Sequence, residues 1–376
     1  MKIAYTFLTD EIQLSEEKNF DSFYKKIGLN TGNFLFANAC KNLIKGEAKT
    51  GVGTNFEANH VNKNFDALVI PAANWINNYS DWTPLIKSLK KLKIPLLVLG
   101  LGVQASSYDK KDLKINKSSK ELLKVIADKS ELISLRGFFT KKCCEDLGIK
   151  NTVVTGCPSA FVSIDVKDID PSNELVIAST RYYADRNFMN NFDINSFMYR
   201  FAFNNRADIY FQSEPEEMQL LVKPNESLFD KNIKNLAKVY NASQKEVKNY
   251  VQKCGAVHTS INDWAEYLKS YKKHLTTRIH GAILGNKIGT PTTLIVHDSR
   301  TLELADSMGV HFVNGLDVYK AYENNKLNSL FLSKAKQINN FNKQRNQNYK
   351  LFHHLVKTCG LEVDNSQVEK VLLKAK

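Results

Sequence analysis

The sequence predicts an α/β protein built as two Rossmann-like, doubly wound domains that face each other across a cleft. Three observations predict it. Short apolar runs rich in β-branched residues alternate with helix-period stretches along the whole chain, the pattern of parallel strands joined by crossover helices. The alternation is interrupted by the polar, Pro171-containing stretch 164–174 and then restarts, as it would across a linker. The 376 residues are too many for one ordinary domain and suit two, and 43% hydrophobic content is enough for both cores. The expected division is an N-terminal domain over 1–165, a C-terminal domain over 174–330 and a helical tail over 331–376.

In the first half, KIAYTFL (2–8) predicts the opening strand. The turn NTGN (30–33) leads into FLFANACKNLI, apolar at helical spacing, with Asn30 or Thr31 as the cap. DALVIP (66–71) and IPLLVLG (94–100) are buried-type strands, separated by the polar exit PAANWINN and a helix over 82–92. Ser118 with Glu121 predicts a capping box for the next helix. A short strand over 132–135 ends at Arg136-Gly137, a helix over 138–147 stops at Gly148, and NTVVTG (151–156) is the last strand, followed by CPSAF. The GLG at 100–102 is a lone GxG, and no GxGxxG follows the first strand, which disfavours a nicotinamide or flavin enzyme.

In the second half, ELVIAST (174–180) predicts a strand ending at Arg181 and Tyr182, and the aromatic-rich 186–204 a helix. DIYFQS (208–213) is a strand that delivers Gln212, Ser213 and Glu214. Two helices fill 228–254, the second opened by a Ser243–Glu246 capping box. AVHTS (256–260) is a strand, and Asn262 caps the helix after it. His274 to Thr277 is a short extended run before a helix that ends near Gly289. TTLIVHD, after Pro291, is a buried strand before a helix that starts around Asp298. The tail from about Ser333 to Val356 is polar and helical, with Phe352, Leu355 and Val356 as a docking edge.

Composition narrows the function. No run of eighteen apolar residues occurs, and MKIAYTFLTDEIQ turns acidic too soon for a signal peptide, so a cytoplasmic protein is expected. The six cysteines form no CxxC pair and read as free thiols in a reducing compartment, with no metal site and no cofactor. The net charge of +13 fits either a merely lysine-rich surface or attraction to an anionic substrate, acidic glycans or the inner membrane face. The basic residues are scattered with no aromatic-basic motif, so nucleic acid is not an expected partner. Only eight of the 52 basic residues are arginine, and Arg136, Arg278 and Arg300 lie at predicted strand ends. A planar guanidinium fork there suits a phosphate or carboxylate; structural pairing with a carboxylate is the competing reading for each.

Ligands in open α/β sheets bind at the carboxyl ends of strands, beside helix N-termini. Two successive strand ends carry Arg278, His280 and Gly281, then Asp298 and Arg300, which predicts an anion pocket with one titratable imidazole. Asp298 either orients His280 or Arg278 or caps the next helix; Arg300 either faces the pocket or pairs with Glu303. Gly137 and Gly281 either admit a ligand or allow close packing. Ser159, beyond the last N-terminal strand, is placed to bond a phosphate. Gln212, Glu214, Tyr182 and Trp75 are candidates for the acceptor side. His258, His274 and His297 read as satisfied core histidines.

Two segments resemble a known family. SLRGFFTKKCCEDLGIKNTVVTGCPSAF (134–161) and TTRIHGAILGNKIGTPTTLIVHDSRTLELADSMG (276–309) are similar to the S-x-R-G…TG-x-P-S and R-x-H-G…G-x-P…D-x-R-T segments of polysaccharide pyruvyl transferases. NTGNFLFANA is a looser match to an N-x-G-D segment, with Asn33 in place of Asp, and PAANWINN replaces a Gly-rich strand exit, a segment expected to line the acceptor side. The resemblance implies two Rossmann-like domains in a GT-B-like layout and transfer of the pyruvyl group of phosphoenolpyruvate to glycan or lipid-linked oligosaccharide hydroxyls, usually as a cyclic ketal. It implies that Arg136 and Arg278 hold the donor and that His280 takes part in proton transfer. Two adjacent arginines should lower the His280 pKa, and a bound trianion should raise it again. The alternatives are a GT-B glycosyltransferase, in which Glu303 would hold a nucleotide ribose, and a non-catalytic glycan-binding protein, which would need aromatic platforms rather than an anion pocket.

Overall fold

A computed structural model describes residues 1–9, 12–105, 113–180 and 193–374. The first half contains β1 (Lys2–Tyr5), α1 (Phe20–Lys26), α2 (Gly32–Leu43), β2 (Ala48–Gly51), α3 (Ala58–Asn64), β3 (Ala67–Pro71), α4 (Thr83–Lys90), β4 (Leu96–Leu101), α5 (Lys117–Lys129), β5 (Ile133–Leu135), α6 (Phe138–Asp146) and β6 (Thr152–Val154). The second contains β7 (Asn173–Ala178), α7 (Ile194–Asn204), β8 (Asp208–Tyr210), α8 (Pro215–Val222), α9 (Leu228–Tyr240), α10 (Gln244–Cys254), β9 (Gly255–Ala256), α11 (Ile261–Lys269), β10 (Tyr271–Thr276), α12 (Ile279–Ile288), β11 (Thr292–Val296), α13 (Ser299–Met308), β12 (Phe312–Asn314), α14 (Gly315–Glu323), α15 (Lys334–Thr358) and α16 (Lys370–Leu373).

The strands form two six-stranded sheets, ordered β2-β1-β3-β4-β5-β6 and β12-β11-β10-β7-β8-β9, and every pairing is parallel. Parallel sheets covered on both faces need strands that are apolar throughout. The central β3, β4 and β11 are buried at every position. In the second sheet the chain order reverses between β7 and β10, so the crevice characteristic of a topological switch opens at their carboxyl ends.

Local signals set several boundaries. Asn30 accepts the Gly32 N–H at 2.8 Å at the start of α2, Ser243 and Glu246 form the expected capping box, and Asp298 opens α13 with Thr301 as its reciprocal partner. Gly289 and Gly309 end α12 and α13 in the left-handed region, at φ 78° and 65°. Two expected caps move. Asn116, not Ser118, caps α5, because the Ser118 hydroxyl accepts the Trp82 N–H and bonds Asp81 across the sheet face. Ser260, not Asn262, caps α11. The expected strand 256–260 shrinks to β9, which pairs only at the sheet edge. The helix expected over 186–204 is seen as α7; its first residues, and the strand end at Arg181 and Tyr182, lie outside the described residues.

Chain order and packing do not divide the molecule at the same places. Phe20, Phe23 and Ile27 of the N-terminal half join the core under the second sheet. The C-terminal helix returns to the first sheet: Phe341, Phe352, Leu355 and Val356 pack with Ile3, Leu97, Cys157 and Phe161, and Ile44 bridges to Val363. The apolar edge expected on the tail, Phe352, Leu355 and Val356, is what docks the helix against the first sheet, and Phe352 is fully buried. All six cysteines are unbridged. No helix among the described residues is long and apolar enough to cross a membrane. Phe352→Ala should destabilise the protein by about 3–5 kcal/mol, the usual result of emptying an aromatic core site. Denaturant unfolding would measure it, and a change below about 1 kcal/mol would place the helix outside the core.

Candidate active site

Each sheet points the carboxyl ends of its strands at the other, and the side chains delivered there line one cavity of about 110 Å³. Arg136, Arg278, His280 and Arg300 all line it. The first comes from the N-terminal sheet and the other three from the C-terminal one, so the two lobes share the site.

Arg136 leaves β5 and runs under Gly102, where an added Cβ would stand 2.7 Å from its Cδ. Its Nε donates to the Gly100 carbonyl at 3.0 Å, which leaves the end of the guanidinium for the cavity. Among the described residues no carboxylate lies within 4 Å of it, and only 7% of the residue is exposed. Burial and neighbouring Arg300 pull its pKa down to about 10, with Cys157, Glu303 and Asp298 opposing, so it stays charged at neutral pH. An unpaired buried cation is costly, and an anion is what relieves it.

Arg300 stands in the first turn of α13, 3.3 Å from Asp298 Oδ2. Arg278 stands at the N-cap of α12, where its guanidinium pairs with Glu214 and donates to Ser213 Oγ at 2.6 Å. Glu214 is in turn held by the backbone N–H groups of Gln212 and Ser213, at 3.0 and 3.1 Å. The Nε of Arg278 is buried with no hydrogen-bond partner among the described residues. The α12 N-terminus has no side-chain cap, and its first residues, Ile279 and His280, line the cavity. First-turn N–H groups without a side-chain cap are an anion site.

His280 is wedged between lobes. Its ring stacks on Phe36 of α2, with centroids 5.7 Å apart and planes 12° apart, and Gly32 backs Nδ1 so closely that an added Cβ would stand 3.1 Å away. Nε2 lies 3.9 Å from Cys157 Sγ. Burial, then Arg136 and Arg300, hold the His280 pKa down at about 3, so the resting imidazole is neutral. The arginine effect is the one the sequence predicts; the larger effect of burial comes from α2, which the sequence does not place here.

Four of the eight expected site residues do not line the cavity. Gly137 is a glycine because Glu303 packs on it, with Cδ 3.0 Å from where a Cβ would be. Gly281 faces Tyr210 and His274 in the core, so its missing side chain serves packing. Ser159 is fully buried, its hydroxyl 3.0 Å from Cys157 Sγ and its carbonyl accepting from Lys287 at 2.9 Å. Asp298 caps α13 through the Thr301 N–H at 2.8 Å and holds Arg300, not His280 or Arg278.

Of the acceptor-side candidates, Gln212 lines the cavity, Glu214 stands behind Arg278, Trp75 stacks on Trp82 away from it, and Tyr182 lies outside the described residues. His297, read as a core histidine, is buried but forms part of the cavity wall. His274 is a core histidine, 2.9 Å from the Tyr210 hydroxyl. His258 packs on Tyr267, and its buried Nε2 has no hydrogen-bond partner among the described residues.

Sequence reading misses Asn30, Asn33, Thr180 and Thr277 as lining residues, whereas Asn74 lies in PAANWINN, the strand exit expected on the acceptor side. Of the missed residues, only those in NTGN carried a signal. Asn33 Nδ2 donates to the carbonyls of Ile27 and Gly28 at 2.9 and 3.0 Å, bonds an aspartate could not donate.

Glu303 accepts from the Thr140 N–H and hydroxyl, both at 2.7 Å, and so ties α13 to the start of α6. Its carboxylate is thus occupied between the lobes. Burial raises its pKa to about 7, although the Thr140 bonds and Arg136 oppose the rise. The folded protein therefore keeps a proton that the unfolded chain releases, and stability falls as pH rises from about 4.5 to 7 and is level above that. The loss from this group is about 3 kcal/mol. Glu303→Gln should remove that slope from a plot of unfolding free energy against pH; an unchanged slope would show that Glu303 is not its source.

No curated protein matches the chain by sequence. Among solved structures it is similar to the S. aureus MnaA–UDP complex, with 10% identity and a TM-score of 0.46 over 94% of this chain and 96% of that one. It is also similar to the UDP-GlcNAc 2-epimerase of Methanocaldococcus jannaschii, with 11% identity and a TM-score of 0.44 over 95% and 100%. The UDP-N-acetylglucosamine 2-epimerase of Rickettsia bellii gives 10% identity and a TM-score of 0.43 over 96% and 97%. The family model for polysaccharide pyruvyl transferase matches residues 11–299, more than three quarters of the sequence, and the chain belongs to that family.

Proposed function

We propose that this chain transfers the pyruvyl group of phosphoenolpyruvate to hydroxyls of a glycan, with the two-lobed cavity as donor site and inorganic phosphate as the second product. The observation that supports it most is the convergence of Arg136, Arg278 and Arg300 with the uncapped α12 N-terminus around His280. Phosphoenolpyruvate sets a phosphate and a carboxylate on one three-carbon frame. Arg136 and Arg300 stand on opposite lobes and suit one anionic group each, with the α12 N–H groups as further donors. Arg278, held by Glu214, shapes the wall and offers its Nε. The residues require neither a metal nor an organic cofactor for this chemistry.

His280 supplies the proton. Raising its imidazole from about 3 to neutrality takes roughly 5 kcal/mol. One unit of donor charge about 4 Å away contributes roughly 4 kcal/mol at an effective dielectric near 20, and the donor carries two to three. Donor binding is therefore large enough to charge the ring despite its burial. The imidazolium gives its proton to the methylene carbon, which becomes the methyl group, and C2 becomes electrophilic. A sugar oxygen bonds to C2 as its proton passes to the now neutral imidazole. A second hydroxyl then displaces phosphate, the C2–O–phosphate bond breaks, and its proton leaves with the phosphate. A cyclic ketal results.

A nucleotide-sugar reading would need Glu303 for a ribose, and that carboxylate is occupied by Thr140. Phosphoenolpyruvate should raise the melting temperature of the wild-type protein and UDP should not. Arg136→Ala should abolish that stabilisation. His280→Gln should retain it while losing at least 100-fold in phosphate release with glycan present. Stabilisation by UDP alone, or full turnover by His280→Gln, would overturn the assignment.

A further inference from the structure

Next to the cationic cavity lies a stretch of the opposite character. Residues 71–80, PAANWINNYS, leave β3 at the cavity rim with no charged side chain, in a chain where 24% of residues are charged and the net charge is +13. Three of the ten are asparagine and two are large aromatics. The loop is fixed from beneath. Asn77, 2% exposed, accepts the N–H groups of Tyr79 and Ser80 at 3.1 and 2.8 Å and donates to the Asn74 carbonyl at 3.0 Å. Trp75 and Trp82 stack 4.6 Å apart, and the Trp82 indole donates back to the Trp75 carbonyl at 3.0 Å. Asn116 holds the Ser80 carbonyl at 2.9 Å.

On this support Tyr79 stands 65% exposed. Its hydroxyl donates to Gln104 Oε1 at 2.8 Å, and the same oxygen accepts from the Asn74 side chain. Asn74 itself lines the cavity, so an unbroken chain of contacts runs from the anion site to the ring. An aromatic ring held in one orientation by its polar end presents a flat apolar face at little entropic cost. Amides alongside it offer both donors and acceptors. A pyranose ring has the matching chemistry: an apolar face of C–H groups and an equatorial rim of hydroxyls, without charge.

We propose that the 72–80 loop is the acceptor subsite, with Tyr79 stacking on a neutral pyranose ring and Asn74 and Gln104 binding its hydroxyls, so that one of them reaches the donor carbon. The assignment rests on the pyruvyl-transfer reading, and the cavity then has a cationic end for the donor and, among the described residues, the uncharged 71–80 loop for the sugar.

The probe is surface polysaccharide extracted from the cells that make this protein, freed of ketal pyruvate by mild acid. Its binding to the full-length protein is followed by tryptophan fluorescence without donor, and its use in transfer by phosphate release. Tyr79→Ala should weaken glycan binding and raise the glycan KM at least tenfold, leaving thermal stabilisation by phosphoenolpyruvate unchanged. Tyr79→Phe, which keeps the ring and loses the tether, should change both by less than threefold. Transfer by the wild type with an unaltered glycan KM in Tyr79→Ala would overturn the subsite and leave the pyruvyl-transfer reading standing. Glycan binding lost in Tyr79→Ala, in a protein that phosphoenolpyruvate neither stabilises nor reacts with, would uphold the subsite and remove that reading. No glycan binding by the wild type would overturn the subsite.

Discussion

Helix α13 belongs to the second sheet by chain order and to both lobes by contact, and the geometry of the site depends on that. Ser299 exchanges hydrogen bonds with the Ala105 backbone, at 3.0 and 2.9 Å. Glu303 caps α6 through Thr140, Ser307 donates to the Arg136 carbonyl at 2.6 Å, and Met308 packs in the core shared with the first sheet. One face of ten residues thus fixes Arg300, at its first turn, relative to Arg136, whose own carbonyl it holds. Guanidinium groups brought this close repel one another; burial is the main cause of the depressed Arg136 pKa, and Arg300 lowers it further. Packing at the far end of the helix holds them where an anion can bridge them.

The site is therefore poised by charges that are only partly compensated. Asp298 answers Arg300 and Glu214 answers Arg278, while Arg136 has no carboxylate within 4 Å among the described residues. His280 shares that field and sits in a wall made dry by Phe36 and Gly32, so its resting state is neutral. The same two influences that suppress its charge make it responsive, because a polyanion that neutralises the arginines acts on the ring at short range and in a low dielectric. The use of arginine fits this division: lysine supplies 44 of the 52 basic residues, and three of the eight arginines meet in one cavity.

Much of this layout is legible in the sequence because it is governed by local chemistry. Apolar runs marked the central strands, the rule that open sheets bind ligands at strand ends selected Arg278, His280, Asp298 and Arg300, and the sparing use of arginine added Arg136. What stayed hidden depends on residues far apart in the chain. Gly137 is small because of Glu303, Gly281 because of Tyr210, and neither partner is signalled by its spacing. The α2 residues Asn33 and Phe36 reach the site only because the lobes close on each other. Ser159 is covered for a related reason, because polarity does not say which layer of the core a side chain will occupy, whereas the apolar edge of Phe352, Leu355 and Val356 does dock the last long helix on the first sheet. Caps were read well where the side chain had no competing partner, as at Ser243, and poorly at Ser118, whose hydroxyl is taken by Asp81 and Trp82.

The account stands on a small polyanion bridging the two lobes. A crystal structure of the protein soaked with phosphoenolpyruvate tests this most directly. It should show the ligand within hydrogen-bond distance of both Arg136 and Arg300, with its methylene carbon next to the His280 ring. Density that touches one lobe alone, or that lies outside the shared cavity, would contradict it.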